Sequence, residues 1–225
     1  MPPRQLAENL WEVPGTWKNK FGRRMTVIRL GDGSLVIHNA MKLNDSELAW
    51  LNALGRVSYI VGPNSFHGSE ASWMAARFPS AQVFVPLNKL ADLKKQGITA
   101  KDLNVEFPSI PELHCIPMHG TRIHEAAFYH APSRTLILCD LAFNMGDVFT
   151  GFERKIMRWN KVGGRFGPSR LTKYLFARDK NSLITSYREL FTLPFDRVVV
   201  NHGDVLESGG SRALQEGVRE IFGRI

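Results

Sequence analysis

The chain has 225 residues, 44% of them hydrophobic, enough to fill a substantial core in a single layered domain with an insertion. Its formal charge of +8 is uneven: between Gly151 and Lys180 nine basic residues stand against Glu153 and Asp179, so +7 belongs to one segment. Cys115 and Cys139 form neither a disulfide framework nor a CxxC metal signature, no run of about 18 apolar residues spans a bilayer, and MPPRQLAENLWEVPG lacks the regions of a secretory signal, so a soluble, cytoplasmic protein is expected.

MTVIRLGDGSLVIHNA reads as two strands joined at Asp32-Gly33, a tight-turn pair between apolar runs. Asn44 then caps a helix of about three turns, with Glu47 three residues on and Gly55 as its stop. VSYIV is a short buried strand, SEASWMAARF a helix, AQVFVP a strand ended by Pro86, and LNKLADLKKQG a helix closing at Gly97. This alternation predicts an α/β layered fold.

From about residue 112 the reading is β-rich: LHCIPM, HEAAFYH and RTLILCD are short strands, the last two joined at Ala131-Pro132-Ser133. The basic segment follows, broken by Gly163, Gly164, Gly167 and Pro168 into two short pieces. SLITSYRELFTL is a helix and DRVVVN a strand, and Leu214, Val218, Ile221 and Phe222 mark the apolar face of a final helix.

Three strand-like runs release a metal-ligand type at their ends: YIVGPNSFHG at His67, TLILCD at Asp140 and RVVVNHGD at His202. Two imidazoles and a carboxylate suit zinc, iron or manganese, because neutral nitrogens and an anionic oxygen satisfy a single divalent ion. Each also has an ordinary structural reading, as helix cap, turn residue or backbone donor. His119, in the loop after HCIPM, is the fourth candidate ligand, and His38, at the end of SLVIH, is placed to line the pocket. His124 and His130 share a strand at about 3.3 Å per residue, so at most one reaches a given ion. His114 is structural, and Cys139, next to Asp140, is expected to face the other way.

The order of hairpin, histidine loop, strand ending in Asp140 and late strand ending in His202 resembles the metallo-β-lactamase superfamily, most closely in EAAFYHAPSRTLILCDLAFN and FDRVVVNHGD. The resemblance implies a four-layer αββα sandwich over residues 1–225, with a basic aromatic insertion at about 147–182. It matches Asp140 to the family's bridging aspartate, His202 to its last histidine and His119 to the histidine between. The family loop reads His-x-His-x-Asp-His. With its last histidine on His67, Gly62, Asn64 and Phe66 occupy the other three positions, and His38 falls near an expected aspartate. One ion is therefore the most this pattern supports, with Asn64 and His38 left to bind substrate.

Such an ion makes a bound water acidic, on zinc toward about pH 7, which points to hydrolysis of an ester, amide or phosphoester of a small molecule. Asp140 is the candidate catalytic residue and orients that water, and Asp204 is a candidate to accept from an imidazole behind the ligands. The alternative is a degenerate, non-catalytic binding protein. Residues 151–180, where cations alternate with Ile156, Trp159, Tyr174 and Phe176, suit an anionic ligand or anionic membrane surface, or else a solvated lid; nucleic acid is not the expected partner.

Overall fold

A computed structural model describes residues 2–15 and 21–223. The chain divides into two compact units, Met1–Gly15 with Arg24–Cys115, and Thr16–Arg23 with Ile116–Ile225.

The first unit is built on a seven-stranded sheet in sequence order: β1 (Arg4–Ala7), β2 (Leu10–Gly15), β3 (Arg23–Arg29), β4 (Ser34–His38), β5 (Arg56–Val61), β6 (Gln82–Val85) and β7 (Ala100–Asp102). β1 to β2 and β3 to β4 pair antiparallel, while β4 to β7 run parallel. Parallel neighbours demand crossovers, supplied by α1 (Asp45–Leu54), α2 (Ala71–Arg77) and α3 (Leu90–Lys95). Every residue of β4 is buried, as expected for a strand covered on both faces. α1 starts at a capping box: Asn44 Oδ1 accepts from the Glu47 N–H at 2.9 Å while Glu47 accepts from the Asn44 N–H at 2.9 Å. Leu35, Ile37, Ile60, Leu51, Met74 and Val83 belong to the apolar core of this unit.

β1 and β2 form a hairpin that the sequence reading did not contain. Its turn is Glu8-Asn9, with Asn9 in the left-handed region at φ 63°, a conformation asparagine tolerates without the glycine that usually marks such turns. The Glu12 carboxylate fastens it by pairing with Arg4 and Arg24. β7 and the single turn α4 (Leu103–Glu106) were likewise unforeseen, since three- and four-residue elements carry no periodicity.

The second unit holds a four-stranded sheet in the order β11 (Arg197–Val199), β10 (Thr135–Ile137), β9 (Ala126–His130), β8 (Leu113–Pro117). β10 pairs antiparallel with β9 and parallel with β11. α5 (Gly151–Trp159), α6 (Lys180–Phe191) and α7 (Gly210–Phe222) complete it. Leu183, Tyr187 and Leu190 of α6 and Leu214 and Val218 of α7 share an apolar core with Leu136 and Val198. The basic segment consists of two short helical pieces, α5 and a π-type turn over Thr172–Phe176. Among the described residues, no helix is long and apolar enough to cross a membrane.

Candidate metal site

In the first unit, His38 ends β4 opposite Val61, the last residue of β5. The next residue, Asn39, donates its N–H to the Val61 carbonyl at 2.9 Å and its side-chain amide to the Arg24 carbonyl at 2.8 Å, which ends the strand. The loop beyond β5 is shaped by Asn64, fully buried, whose Oδ1 accepts from the N–H groups of Phe66 at 2.9 Å and His67 at 3.0 Å. Asn64 thus sets the position of His67, a task the sequence did not assign it. A Cβ on Gly62 would meet the His67 carbonyl oxygen at 2.9 Å and Gly68 Cα at 3.1 Å, so the returning loop leaves no space there for a side chain. This excludes a ligand at that position on steric grounds. Both His38 and His67 are buried, and burial, with repulsion from His67, pulls the His38 imidazole down to about 3, so His38 stays neutral.

In the second unit, parallel pairing matches Ile137 to Val199. Asp140 and His202 each stand three residues beyond that pair, and His202 Nε2 lies 3.3 Å from Asp140 Oδ1, with both side chains buried. His202 Nδ1 faces the carbonyls of Gly22 at 2.8 Å and Phe21 at 3.0 Å. Two acceptors there favour a proton on Nδ1, which leaves Nε2 as the nitrogen that a metal ion would take in place of a proton shared with Asp140. Phe143 stacks on the imidazole, with centroids 5.9 Å apart and planes 8° apart. The Asn201 amide also reaches Nε2, at 2.9 Å. Burial alone lowers the His202 pKa, but the hydrogen bond and charge of Asp140 and the two carbonyls outweigh it and hold it above its ordinary value.

Gly203 explains the abrupt end of RVVVNHGD. Its φ is 95°, and a Cβ there would sit 2.0 Å from the Asn144 carbonyl oxygen, so only glycine lets the chain turn beside that backbone.

Sequence reasoning missed Glu125. This fully buried carboxylate accepts from the N–H groups of Cys139 and Asp140, each at 2.8 Å, and of Leu141 at 3.3 Å. Three backbone donors offset the cost of burying the charge and fix the bend that presents Asp140. Tyr187 closes the same bend by donating to the Leu141 carbonyl at 2.7 Å, and burial, then the Glu125 charge, holds its phenol well above the usual range. A glutamate directly before the buried strand AAFYH was the available signal.

Three expectations change. Strand alternation was to turn Cys139 away from Asp140, yet β10 ends at Ile137 and the bend brings Cys139 Sγ within 4.8 Å of an Asp140 carboxylate oxygen. Asp204 was to support an imidazole, but the Phe21 and Gly22 carbonyls hold that place. Asp204 is exposed, its N–H donating to the Asn144 carbonyl at 2.9 Å. His124 precedes β9 rather than sharing it with His130, and is exposed at φ 51°. His119 occupies the expected loop and is exposed, with its N–H bonded to Ser186 Oγ at 2.9 Å. Among the described residues, neither His119 nor His202 belongs to a group of three or more ligand-bearing side chains whose ligand atoms all lie within 4.8 Å of one another.

The second unit's donors fit a small divalent ion. At bond lengths of about 2.0–2.1 Å, neighbouring ligand atoms of a tetrahedral site stand about 3.3 Å apart, the separation of Nε2 and Oδ1. A thiol beside them favours zinc or iron over manganese, since a sulfur ligand suits softer ions.

No family model and no curated protein matches the sequence. Solved structures do resemble it. The metallo-β-lactamase FIM-1 from Pseudomonas aeruginosa, in its mono-zinc form, is 9% identical with a TM-score of 0.58, over 98% of this chain and 96% of that one. The chemotaxis sensor ODP, solved as a peroxy diiron species, is 11% identical with a TM-score of 0.66, over 100% and 95%. The flavodiiron protein from Giardia intestinalis is 13% identical with a TM-score of 0.68, over 97% of this chain and 59% of that one. The chain has the metallo-β-lactamase fold, as the sequence resemblance implied. At such identities the likeness defines architecture and leaves activity open.

Proposed function

We propose that this is a metal-dependent hydrolase that holds a single divalent ion, zinc or iron, through Asp140 and His202, with His67 as a further ligand and Cys139 as an added donor. The observation that carries the reading is the buried Asp140–His202 pair, with Oδ1 3.3 Å from Nε2 and the opposite ring nitrogen facing the Gly22 carbonyl. The ions named for the similar structures, zinc and iron, support the choice. When bound, such an ion supplies Lewis acidity and an acidic water near neutral pH, suited to an ester, amide or phosphoester.

The chain's own groups do the rest. Asp140 holds and orients the attacking water, His202 keeps its proton on Nδ1, and Glu125 keeps the Asp140 bend in place. Asn64 holds the loop that carries His67, and the neutral His38 adds no positive charge. Free cysteines agree with a cytoplasmic location. Elemental analysis after reconstitution and desalting should find about one equivalent of zinc or iron. Absence of metal, or full metal content in both Asp140→Ala and His202→Ala, sinks the reading.

A further inference from the structure

Seven of the ten exposed large apolar side chains among the described residues lie between 148 and 175. On α5 they form a line: Phe152, Ile156 and Trp159, spaced i, i+4 and i+7, are 76%, 44% and 67% exposed, and no α5 residue is buried. Met157, on the opposite side of the helix, packs against Phe149 and Val162, so α5 is anchored by one face and presents the other outward. Leu171, Tyr174 and Leu175 add a second exposed group at the π-type turn. The Arg170 guanidinium lies 5.0 Å from the Trp159 ring centroid and links the two groups.

Cations border this apolar face. Lys155 flanks the α5 line, and Lys173 and Lys180 lie 5.6 and 5.3 Å from the Tyr174 ring. We propose that α5 and the 171–175 turn dock the protein on an anionic phospholipid surface. Trp159 and Tyr174 suit the headgroup level, Phe152, Ile156 and the leucines suit the acyl boundary, and the +7 segment suits the negative leaflet. A second copy would set two such positive faces together. Nucleic acid would satisfy the cations and rings but leave aliphatic Ile156, Leu171 and Leu175 without a partner. This inference does not depend on the metal site.

The test is co-sedimentation of the full chain with vesicles of phosphatidylcholine alone and with about 30 mol% phosphatidylglycerol. Binding to the anionic vesicles only, weakening by at least about tenfold as salt rises from about 0.05 to 0.5 M, is expected. The double variants F152S/W159S and K155E/R170E should each lose about tenfold or more in affinity, with melting temperatures unchanged. The second pair keeps the test valid should the first melt early. No anionic binding, equal binding to neutral vesicles, or wild-type affinity in both variants overturns the proposal. So does a preference for oligonucleotide that F152S/W159S leaves intact, or a dimer that the same pair abolishes while lipid binding is absent.

Discussion

Asp140 and His202 face each other because β10 and β11 run parallel in a register that matches Ile137 with Val199, and each residue stands three positions further on, Oδ1 3.3 Å from Nε2. The Asn201 amide, 2.9 Å from the same Nε2, competes for its lone pair. An ion must displace that hydrogen bond, worth about 1 kcal/mol. Asn201→Ala should therefore raise metal affinity by about fivefold while lowering the stability of the metal-free protein by about 1 kcal/mol. Chelator competition and urea unfolding measure the two changes, and their opposite signs are the diagnostic.

Glu125→Gln keeps the shape but removes the charge and turns an amide NH2 toward backbone donors. A loss of about 2–4 kcal/mol in unfolding free energy is expected, with metal affinity reduced by about tenfold through the loosened Asp140 bend. Glu125→Asp, too short to reach all three N–H groups, should recover only part of the loss. Unchanged metal affinity in a folded Glu125→Gln protein would show that the bend does not depend on this carboxylate.

Gly203→Ala combines a positive φ with a Cβ against the Asn144 carbonyl, so the Asn144–Gly203 contact must open. The expected cost is about 3 kcal/mol or more, seen in thermal denaturation. Gly146→Ala is the control, since it also has a positive φ, 53°, but meets nothing within 4 Å, and should cost only about 1 kcal/mol.

Glu220 on α7 accepts from Lys161 at 2.7 Å and Arg165 at 2.8 Å, tying the basic segment to that helix. The Lys161 hydrogen bond, with the charges of Arg165 and Lys161, holds its pKa below the usual 4.5. A carboxylate depressed by folding contributes stability above its unfolded pKa and loses it as pH falls through the folded value. Acidification below about pH 4.5 should thus lower the amide-exchange protection factors, taken relative to the intrinsic rates at each pH, between residues 161 and 170, a loss that Glu220→Gln should bring to neutral pH. Protection unchanged across that range would argue against the tie.

Much of the architecture was legible because it rests on local signals. Asn44 and Glu47 announced the capping box, the buried run SLVIH announced a covered strand, and three apolar runs ended in His67, Asp140 and His202. The β1–β2 hairpin was not legible, since its turn uses Asn9 without a glycine and its Glu12 pairs with arginines on two other strands. Cys139 was misread because alternation holds only while a strand lasts, and β10 ends two residues before it. Asp204 was misassigned because the carbonyls that hold His202 Nδ1 belong to Phe21 and Gly22, some 180 residues away in the chain.

By itself the sequence determined the alternation of strands and helices from β3 to β6, the uneven charge and the residue types at strand ends, since each follows from neighbours a few positions apart. Only the tertiary structure decided which groups serve Asp140 and His202: the Glu125 carboxylate beneath the bend, the distant carbonyls that face His202 Nδ1, the Asn144 backbone that demands Gly203. A hydrogen bond reaches about 3 Å whatever the separation along the chain, so its partners are chosen by folding and leave no pattern in the residues around them.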